Sequence, residues 1–261
     1  MLRSLFTSAT GLTAQQFNLD VVSHNLANVS TTGFKRSRAD FTDMVYQTMR
    51  EAGGQSGPNS QLPTGTRVGL GVSVAATVPI QSQGTLVAGN GTDMAIQGQG
   101  YFQVQLPDGS TGYTRDGSFR VDGTGKLVTA EGYAMQPEIT IPPNADTVNI
   151  SNEGQVIVKV IGQQNATSVG TVQLSTFINP SGLRANGGNI FSPTPASGAP
   201  ATSNPGTQGA GTLRGGYLEA SNVDIVEEMV RMIIIQRAYD ANSKSIQAAD
   251  EMLATTNGLK R

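Results

Sequence analysis

The chain has 261 residues, of which 37% are hydrophobic, 5% aromatic and 14% charged, and its formal net charge is −2. Charges this sparse and balanced argue against nucleic acid as the main partner, since phosphate binding requires a clustered basic face. The absence of cysteine excludes disulfides and thiolate metal sites. No segment approaches the roughly 20 apolar residues of a membrane span, and the first residues lack the apolar run of a cleaved signal peptide. We therefore expect neither nucleic-acid binding nor membrane insertion.

Residues 2–32 have the apolar spacing of a long helix. Leucines recur every seven residues, which is the period of a seam between packed helices; they are Leu5, Leu12, Leu19 and Leu26. Gly33 stands where a helix-terminating glycine is expected, and Lys35 and Arg36 follow where positive charge suits the helix dipole. The pattern predicts a helix that ends next to Gly33.

The middle of the chain has the pattern of an antiparallel β domain. Apolar residues alternate from 67 to 78, which predicts a strand. Shorter runs of the same kind lie at residues 101–106, 118–121, 155–160 and 169–177. Acidic residues followed by glycine lie between the runs and favour tight turns; they are Asp108, Asp116, Asp122, Glu131 and Glu153.

Two stretches fit neither the helical nor the strand pattern. Residues 51–65 are rich in Gly, Ser, Gln and Pro, which is typical of a loop. Residues 192–211 have a similar composition, and we assign 192–216 as a linker that leads back to the last segment.

The last segment predicts a second long helix. Ser221 and Asn222 are suitable N-cap residues. Apolar side chains again recur every seven positions, at Ile225, Met232, Tyr239, Ile246 and Leu253. Apolar side chains here point almost all round the helix, at Val230, Met232, Ile233, Ile234 and Ile235, so a single partner helix does not bury them all. We expect neighbouring subunits to cover the rest.

These patterns together predict an α+β fold. Its two terminal helices pack as a coiled-coil-like pair, and an antiparallel β domain is inserted between them. The predicted boundaries are residues 1–34 and 217–261 for the helical domain, 35–66 for an extended connecting region, and 67–216 for the β-rich outer domain.

Patterns of catalytic or ligand-binding residues are weak. His24 is the only histidine, and packing explains the helix around it, which favours a structural role over a catalytic triad. Residues 89–96 resemble one calcium-binding nonapeptide, but such sites form from tandem repeats. Residues 98–100 lack the third glycine of a dinucleotide-binding loop.

Four acidic residues near the last helix could form a catalytic carboxylate pair; they are Glu219, Asp224, Glu227 and Glu228. Their place at a predicted helix start explains them better, because negative charge stabilises a helix N-terminus. We predict a protein that is not an enzyme and has no catalytic residue, cofactor or metal.

Three separated motifs resemble the bacterial flagellar rod and hook protein family. Residues 23–36 (SHNLANVSTTGFKR) are similar to its N-terminal signature, and residues 98–102 (GQGYF) and 113–119 (YTRDGSF) match in the middle. Residues 216–224 (GYLEASNVD) and 236–244 (QRAYDANSK) are similar to its closing segment. Within the family, the chain length and residues 46–65 most resemble the distal rod member.

The resemblance implies a structural subunit that polymerises into a rigid helical tube and transmits motor torque across the periplasm to the hook. The terminal helices would form the inner tube and the β domain the outer layer. The implied partners are further copies of the chain, the proximal rod proteins, the hook protein and the surrounding L and P rings. The flagellar type III export apparatus would deliver the chain to the basal body without a cleaved signal peptide.

The resemblance also assigns residues to roles. Asn25, Asn28, Gly33 and Phe34 would form the turn that leaves the inner helix. Ser221, Asn222 and Tyr239 would belong to the returning helix. Residues 47–65 would wedge between subunits and stiffen the rod, and we single out Gln47, Leu62, Pro63 and Gly65 within them. We expect this segment to become ordered only in the polymer.

Two alternative functions remain open at this stage. A proximal rod or hook-like protein has a similar plan, although proximal rod proteins usually lack a segment between the first helix and the β domain, and the hook protein is longer. A secreted β-rich adhesin or binding module with coiled-coil ends would share the same patterns. An enzyme is the least favoured interpretation.

Overall fold

The computed structural model describes residues 2–53, 55–57, 60–61, 63–162 and 165–258. Helix α1 (Leu2–Ala27) begins the described chain and helix α2 (Ile225–Gly258) ends it, with antiparallel β structure between them. This confirms the predicted α+β class. The chain forms two compact units. The helical unit comprises the described residues within 1–27, 37–78 and 224–261, and the β unit those within 28–36 and 79–223.

In the helical unit, α1 packs against α2. The buried side chains of this seam include polar groups as well as apolar ones: Ala14, Val22 and Asn25 on α1, and Glu228, Ile235 and Ala249 on α2. Neither helix, nor any other in the described ranges, is long and apolar enough to cross a membrane.

Six strands of the helical unit pair with one another to form one long hairpin, which we call the arm. They are β1 (Ser37–Asp43), β2 (Tyr46–Arg50), β3 (Gln55–Gly57), β4 (Ser60–Gln61), β5 (Thr66–Gly69) and β6 (Val72–Pro79). Strand β1 pairs with β6, β2 with β5, and β3 with β4. Residues 51–65, for which composition predicted a loop, therefore include two strands that pair with each other.

The strand predicted over residues 67–78 is interrupted. It divides into β5 and β6 at Gly71, whose φ of +125° is rare for any other residue. The apolar alternation is also not buried within the unit, because Val68 and Val74 are 36% and 39% exposed. The alternation predicted strands correctly, but it does not indicate a core inside this chain.

The β unit contains sixteen described strands and one turn of 3-10 helix at Pro180–Gly182. The first eight strands are β7 (Leu86–Ala88), β8 (Met94–Gln97), β9 (Tyr101–Gln105), β10 (Thr111–Thr114), β11 (Arg120–Val121), β12 (Leu127–Val128), β13 (Met135–Gln136) and β14 (Ala145–Ile150). The others are β15 (Gln155–Val160), β16 (Thr167–Thr171), β17 (Leu174–Thr176), β18 (Arg184–Gly187), β19 (Ile190–Ser192), β20 (Ala201–Ser203), β21 (Thr212–Gly215) and β22 (Tyr217–Glu219).

A seven-stranded sheet organises the β unit, in the order β18-β19-β10-β9-β17-β20, with β13 also paired to β9. A three-stranded sheet, β14-β15-β16, contributes Ile150, Val156 and Val158 to the same core. The ring of Phe102 lies edge-on to Phe119, with centroids 5.3 Å apart, and both side chains are almost fully buried. The scarcity of aromatic residues is therefore compensated by placing these two at the centre of the core.

Several predicted turns lie between paired strands. Asp108 joins β9 to β10, Asp122 joins β11 to β12, and Glu153 joins β14 to β15. The Asp122 carboxylate accepts hydrogen bonds from the backbone N–H groups of Thr124 and Lys126, both at 2.8 Å. Such local bonds explain why sequence alone located these turns.

The stretch assigned as a linker, residues 192–216, differs from that interpretation. Strands β20 and β21 lie within it and pair with β17 and β8. Leu213 and Ser197 are almost fully buried. Gly- and Ser-rich composition indicates turns here, and the short strands between the turns depend on partners that are distant in sequence.

Two predicted helix ends are also corrected. Helix α1 ends at Ala27, not at residue 32. Asn28 instead accepts a backbone hydrogen bond from Thr31 and contacts its hydroxyl, both at 3.1 Å, and such local bonds compete with a helix. At α2 the N-cap is Asp224, whose Oδ1 accepts from the N–H groups of Val226 at 2.8 Å and Glu227 at 3.1 Å.

We expect Phe102→Ala to destabilise the β unit by about 3–5 kcal/mol, because a fully buried ring leaves a cavity that the sheet does not fill. Urea unfolding followed by tyrosine circular dichroism measures this. Ile178→Ala is the matched control: Ile178 is 94% exposed, so its removal should change stability by less than about 0.5 kcal/mol. Equal effects of the two changes would contradict the assignment of the core.

Candidate functional site

An uncovered apolar face runs along the first three turns of α2. Its six side chains are between 47% and 71% exposed: Ile225, Val226, Met229, Val230, Ile233 and Ile234. Their spacing of three and four residues places them on one side of the helix. Ile235 and Glu228, which are buried, lie on the other side toward α1. We call these six residues the apolar face of α2.

The predicted packing residues divide between the seam and the apolar face. Leu5, Leu12, Leu19 and Leu26 on α1 are half-buried, as are Met232, Ile246 and Leu253 on α2. Ile225, Ile233 and Ile234 belong to the apolar face, and Tyr239 is 42% exposed. A groove of about 280 Å³ lies in the helical unit next to Leu19, Ile235 and Tyr239. Both heptad patterns thus describe elements that are only partly covered within one chain.

Asn25, predicted to belong to the turn after α1, lies in the last turn of the helix and is 1% exposed. Its side chain bonds both backbone groups of Ser37: Nδ2 donates to the carbonyl and Oδ1 accepts from the N–H, each at 2.8 Å. Nδ2 also donates to Glu228 Oε2 at 3.3 Å. One amide therefore connects α1, the start of the arm and α2.

The remaining predicted turn residues lie in the β unit. Gly33 has a φ of +69°, and its N–H donates to the Glu219 carbonyl at 2.8 Å. A Cβ at this position would lie 2.7 Å from the Arg115 carbonyl carbon, so only glycine fits. Phe34 donates its N–H to Thr31 at 3.3 Å. Gly33 is thus required by a close backbone approach, and the prediction that it terminates the helix is wrong.

A buried ion cluster lies in the β unit around Glu219. One carboxylate oxygen is 2.5 Å from Lys35 Nζ and the other is 2.7 Å from Arg115 Nε, and all three side chains are at most 7% exposed. Arg115 also donates to the carbonyls of Gly98 and Gly100, each at 2.6 Å. Lys35 donates to a further backbone carbonyl, that of Ser82, at 2.9 Å. Burying charges without partners is costly, and here the neighbouring groups satisfy them.

The environment keeps Glu219 ionised. Burial by itself would raise its pKa, but Arg115 and Lys35 together hold the pKa of the carboxyl below its ordinary value of 4.5. Burial lowers the pKa of Lys35, against the opposing effect of Glu219. An ionised, solvent-excluded carboxylate holds two cations in place and is unsuited to exchange protons with a substrate.

The four acids considered as a possible catalytic pair therefore have separate structural roles. Glu219 lies in β22 and not at the start of α2, which corrects the sequence interpretation. Asp224 caps α2, Glu227 pairs with Arg231 at 2.8 Å, and Glu228 bonds Asn25. No group of three acidic or histidine side chains in the described ranges is placed to hold a metal ion.

Asn222 was predicted as an N-cap and has a different role. Its Oδ1 accepts from the Arg36 N–H at 2.7 Å, and its Nδ2 donates to the carbonyls of Ile80 at 2.9 Å and Ser82 at 3.0 Å. Ser221 accepts through Oγ from the N–H of Val223 at 3.3 Å. Asn222 therefore joins three chain segments at one point of the β unit.

The residues singled out in the predicted stiffening segment lie in the arm. Gln47 is in β2, opposite Val68 of β5. Pro63 is exposed, and Gly65 lies so close to Arg50 that a Cβ would be 2.6 Å from its carbonyl oxygen. Leu62 lies outside the described residues. Among the arm residues whose exposure the structure describes, the most exposed apolar side chains are Val45, Tyr46 and Met49, at 77%, 54% and 64%.

Sequence reasoning missed the ion cluster. Lys35 was explained by the helix dipole and Glu219 by a helix start, and Arg115 was noted only as part of a family motif. The available signal was Arg115 itself, a cation that follows Tyr113 and Thr114 and precedes the predicted turn at Asp116. Its partner Glu219 could not be identified, because Glu219 lies 104 residues away in sequence, and Glu219 in turn pairs with Lys35, 184 residues away.

We expect Glu219→Gln to destabilise the β unit by about 3–5 kcal/mol at neutral pH, because Arg115 and Lys35 lose their countercharge in a buried site. Urea unfolding of the full chain measures this. A depressed carboxyl pKa stabilises the fold above pH 4.5, and the contribution is lost as pH falls through the folded-state pKa. The difference between the two proteins should therefore narrow in acid.

Glu138→Gln is the matched control in the same unit, since its pair with Lys126 is exposed. It should leave stability nearly unchanged. A similar small effect at Glu219 would contradict a structural role for the ion cluster.

Comparison with known proteins identifies the family. Residues 5–35 match the family described as "Flagella basal body rod protein". Residues 95–158 match the family described as "Flagellar hook protein FlgE/F/G D1 domain". Residues 214–259 match "Flagellar basal body rod FlgEFG protein C-terminal". The first match ends at Lys35 and the third includes Glu219, so both contain a member of the ion cluster.

Full-length relatives agree with these matches. The flagellar basal-body rod protein FlgG of Buchnera aphidicola subsp. Schizaphis graminum is 52% identical over 254 residues, which cover 97% of this chain and 98% of that protein. FlgG of Borreliella burgdorferi is 48% identical over the whole of both chains. The flagellar hook protein FlgE of Helicobacter mustelae is 47% identical, but over only 52% of this chain and 30% of its own length. The chain therefore belongs to the flagellar basal-body rod protein family, and within it groups with the FlgG proteins.

Proposed function

We propose that this chain is a non-catalytic structural subunit of the distal rod, which polymerises into a rigid helical tube and transmits motor torque to the hook. The apolar face of α2 is the observation that carries this proposal. Full-length similarity to FlgG proteins, and only partial similarity to a hook protein, favours the rod over the hook.

The apolar face of α2 requires a partner outside the chain. Six adjacent apolar side chains in water are unfavourable, and contiguous exposed patches of this kind mark interaction sites. The charged residues on the same three turns include Glu227 and Arg231, which pair with each other at 2.8 Å. Because α1 already covers the other side of α2, further copies of the chain are the natural occupants.

The arrangement supports separate roles for the two units. The helical unit supplies α1 and α2 for the inner wall of the tube, with packing through the two heptad patterns. The β unit, whose core is complete in itself, supplies the outer layer. The arm wedges between neighbouring subunits through Val45, Tyr46 and Met49, and its paired strands make it stiffer than a loop.

Location and further partners follow from the same proposal. The distal rod polymer lies in the periplasm within the basal body and meets the proximal rod proteins at one end and the hook protein at the other. The L and P rings surround it. The type III export apparatus delivers its subunits.

We expect Ile234→Glu to prevent elongation into straight tubes at concentrations where the unmodified chain elongates, because the carboxylate would be buried without a partner between subunits. Sedimentation and electron microscopy measure polymer formation. Gln247→Glu introduces the same charge at an exposed polar position of α2 and should polymerise normally. Normal tubes from Ile234→Glu would contradict an inner wall built from this face.

We expect loss of the arm tip to soften the polymer. Arg50 and Thr66 already lie opposite each other, so replacing residues 51–65 with Asn-Gly connects them through a two-residue hairpin turn. Electron microscopy then measures filament curvature and persistence length, and the shortened arm should give curved filaments. Asp108→Asn, which creates the same Asn-Gly turn in the β unit, serves as the control. Filaments as straight as those of the control would rule out stiffening by the arm tip.

A further inference from the structure

The arm lies along α1 and is anchored to it at separate levels. Near the end of α1, Asn25 bonds the first residue of β1, Ser37. Near the middle, Thr10 Oγ1 accepts a long hydrogen bond of 3.4 Å from the N–H of Val72, the first residue of β6. Near the beginning of α1, Arg3 contacts the Met49 sulfur at 3.9 Å. The arm therefore follows the helix from its end toward its beginning.

The contact at Thr10 depends on α1 being helical. The hydroxyl donates to the carbonyl of Thr7 at 2.9 Å, a bond to residue i−3 that forms when the backbone is coiled. Because the hydroxyl proton points to Thr7, a lone pair of Thr10 Oγ1 faces the arm and accepts the hydrogen bond from the Val72 N–H. An unfolded α1 would not offer this acceptor in a fixed position.

The same contact requires glycine at position 71. Gly71 divides β5 from β6 with a φ of +125°, and a Cβ built there would overlap the Thr10 hydroxyl. Its carbonyl accepts from the Met44 N–H at 2.8 Å, so the connection between β1 and β2 is held at the same point. Two independent features, the conformation and the close approach, thus exclude any side chain.

We propose that Thr10 and Gly71 form a seat that fixes the direction of the arm along α1 and makes the ordering of the arm depend on the folding of α1. Strand β2 is exposed along its whole length, so packing within the unit does little to hold the arm in place. Polar anchors to α1 supply that restraint. The contacts that form the seat are independent of the proposed function, whereas their test in the polymer and their consequence for rod stiffness rest on that function.

Hydrogen exchange in the assembled polymer tests the seat, with Gly71→Ala as the variant. A small fraction of variant chain is assembled with excess unmodified chain, and mass spectrometry follows the peptide containing residue 71, which the substitution makes heavier. We expect this peptide to exchange about three- to tenfold faster, as for the loss of a single anchoring contact.

Gly69→Ala is the matched control in the same arm. A Cβ there would meet only the Tyr46 ring, at an ordinary contact distance of 3.5 Å, and exchange should stay as in the unmodified chain. Equal exchange in the two glycine variants would overturn the seat.

Substitutions at Thr10 test the other half of the contact. Thr10→Val keeps the shape but removes the acceptor, and it should speed exchange at Val72, whereas Thr10→Ser should restore protection. Thr13→Val removes a hydroxyl that donates to Ala9 at 3.1 Å and should leave the arm unaffected. Unchanged exchange in Thr10→Val would contradict the seat.

Filament stiffness separates the seat from the proposed function. If polymers of pure Gly71→Ala chain show faster hydrogen exchange in the arm and are also curved, both the seat and the stiffening of the rod by the arm are supported. If the arm loosens and the filaments remain straight, the seat stands and stiffening by the arm fails. If arm protection is unchanged, the seat fails whatever the stiffness.

Discussion

The β unit depends on one buried carboxylate, that of Glu219. Its two oxygens hold Lys35, on the segment that follows α1, and Arg115, at the end of a strand of the main sheet. Its own backbone carbonyl accepts from Gly33. Because the charges are solvent-excluded, the three segments cannot separate without leaving an unpaired ion in an apolar interior, which costs several kcal/mol. The outgoing and returning parts of the chain are thereby fixed to the same point of the unit.

The helical unit shows a different balance of forces. Its seam is closed partly by polar groups, since the Asn25 amide bonds both Ser37 and Glu228 in a buried position. A buried amide satisfied in a single arrangement favours one register of the two helices over others. The apolar face of α2 contributes nothing to this seam and remains in solvent. Stability within the chain and the proposed association between chains therefore use different faces of the same helix.

Features of the fold that depend on residues close together in sequence could be predicted from the sequence, and features that depend on residues far apart could not. Two helices, strand β15 and the turn at Asp122 followed from the sequence, since their patterns and hydrogen bonds involve near neighbours. The end of α1 was misplaced, because Gly33 serves a contact with Arg115 and not a helix cap. The ion cluster joins residues more than 80 positions apart, and no local pattern reveals such partners. The arm hairpin was also not predicted, because its small polar residues are typical of loops.

Helix α1 connects the two uncovered surfaces of the helical unit. On one side it packs against α2, whose apolar face is exposed; on another it carries the arm, which exposes Val45, Tyr46 and Met49. The seat at Thr10 exists only when α1 is helical, and so does the Asn25 contact with Glu228, which requires a defined position on the helix. In the proposed polymer, a neighbouring subunit that covers either surface stabilises α1, and through α1 it favours the ordered form of the other. On that proposal, folding of the terminal helices and placement of the arm are one coupled step of assembly.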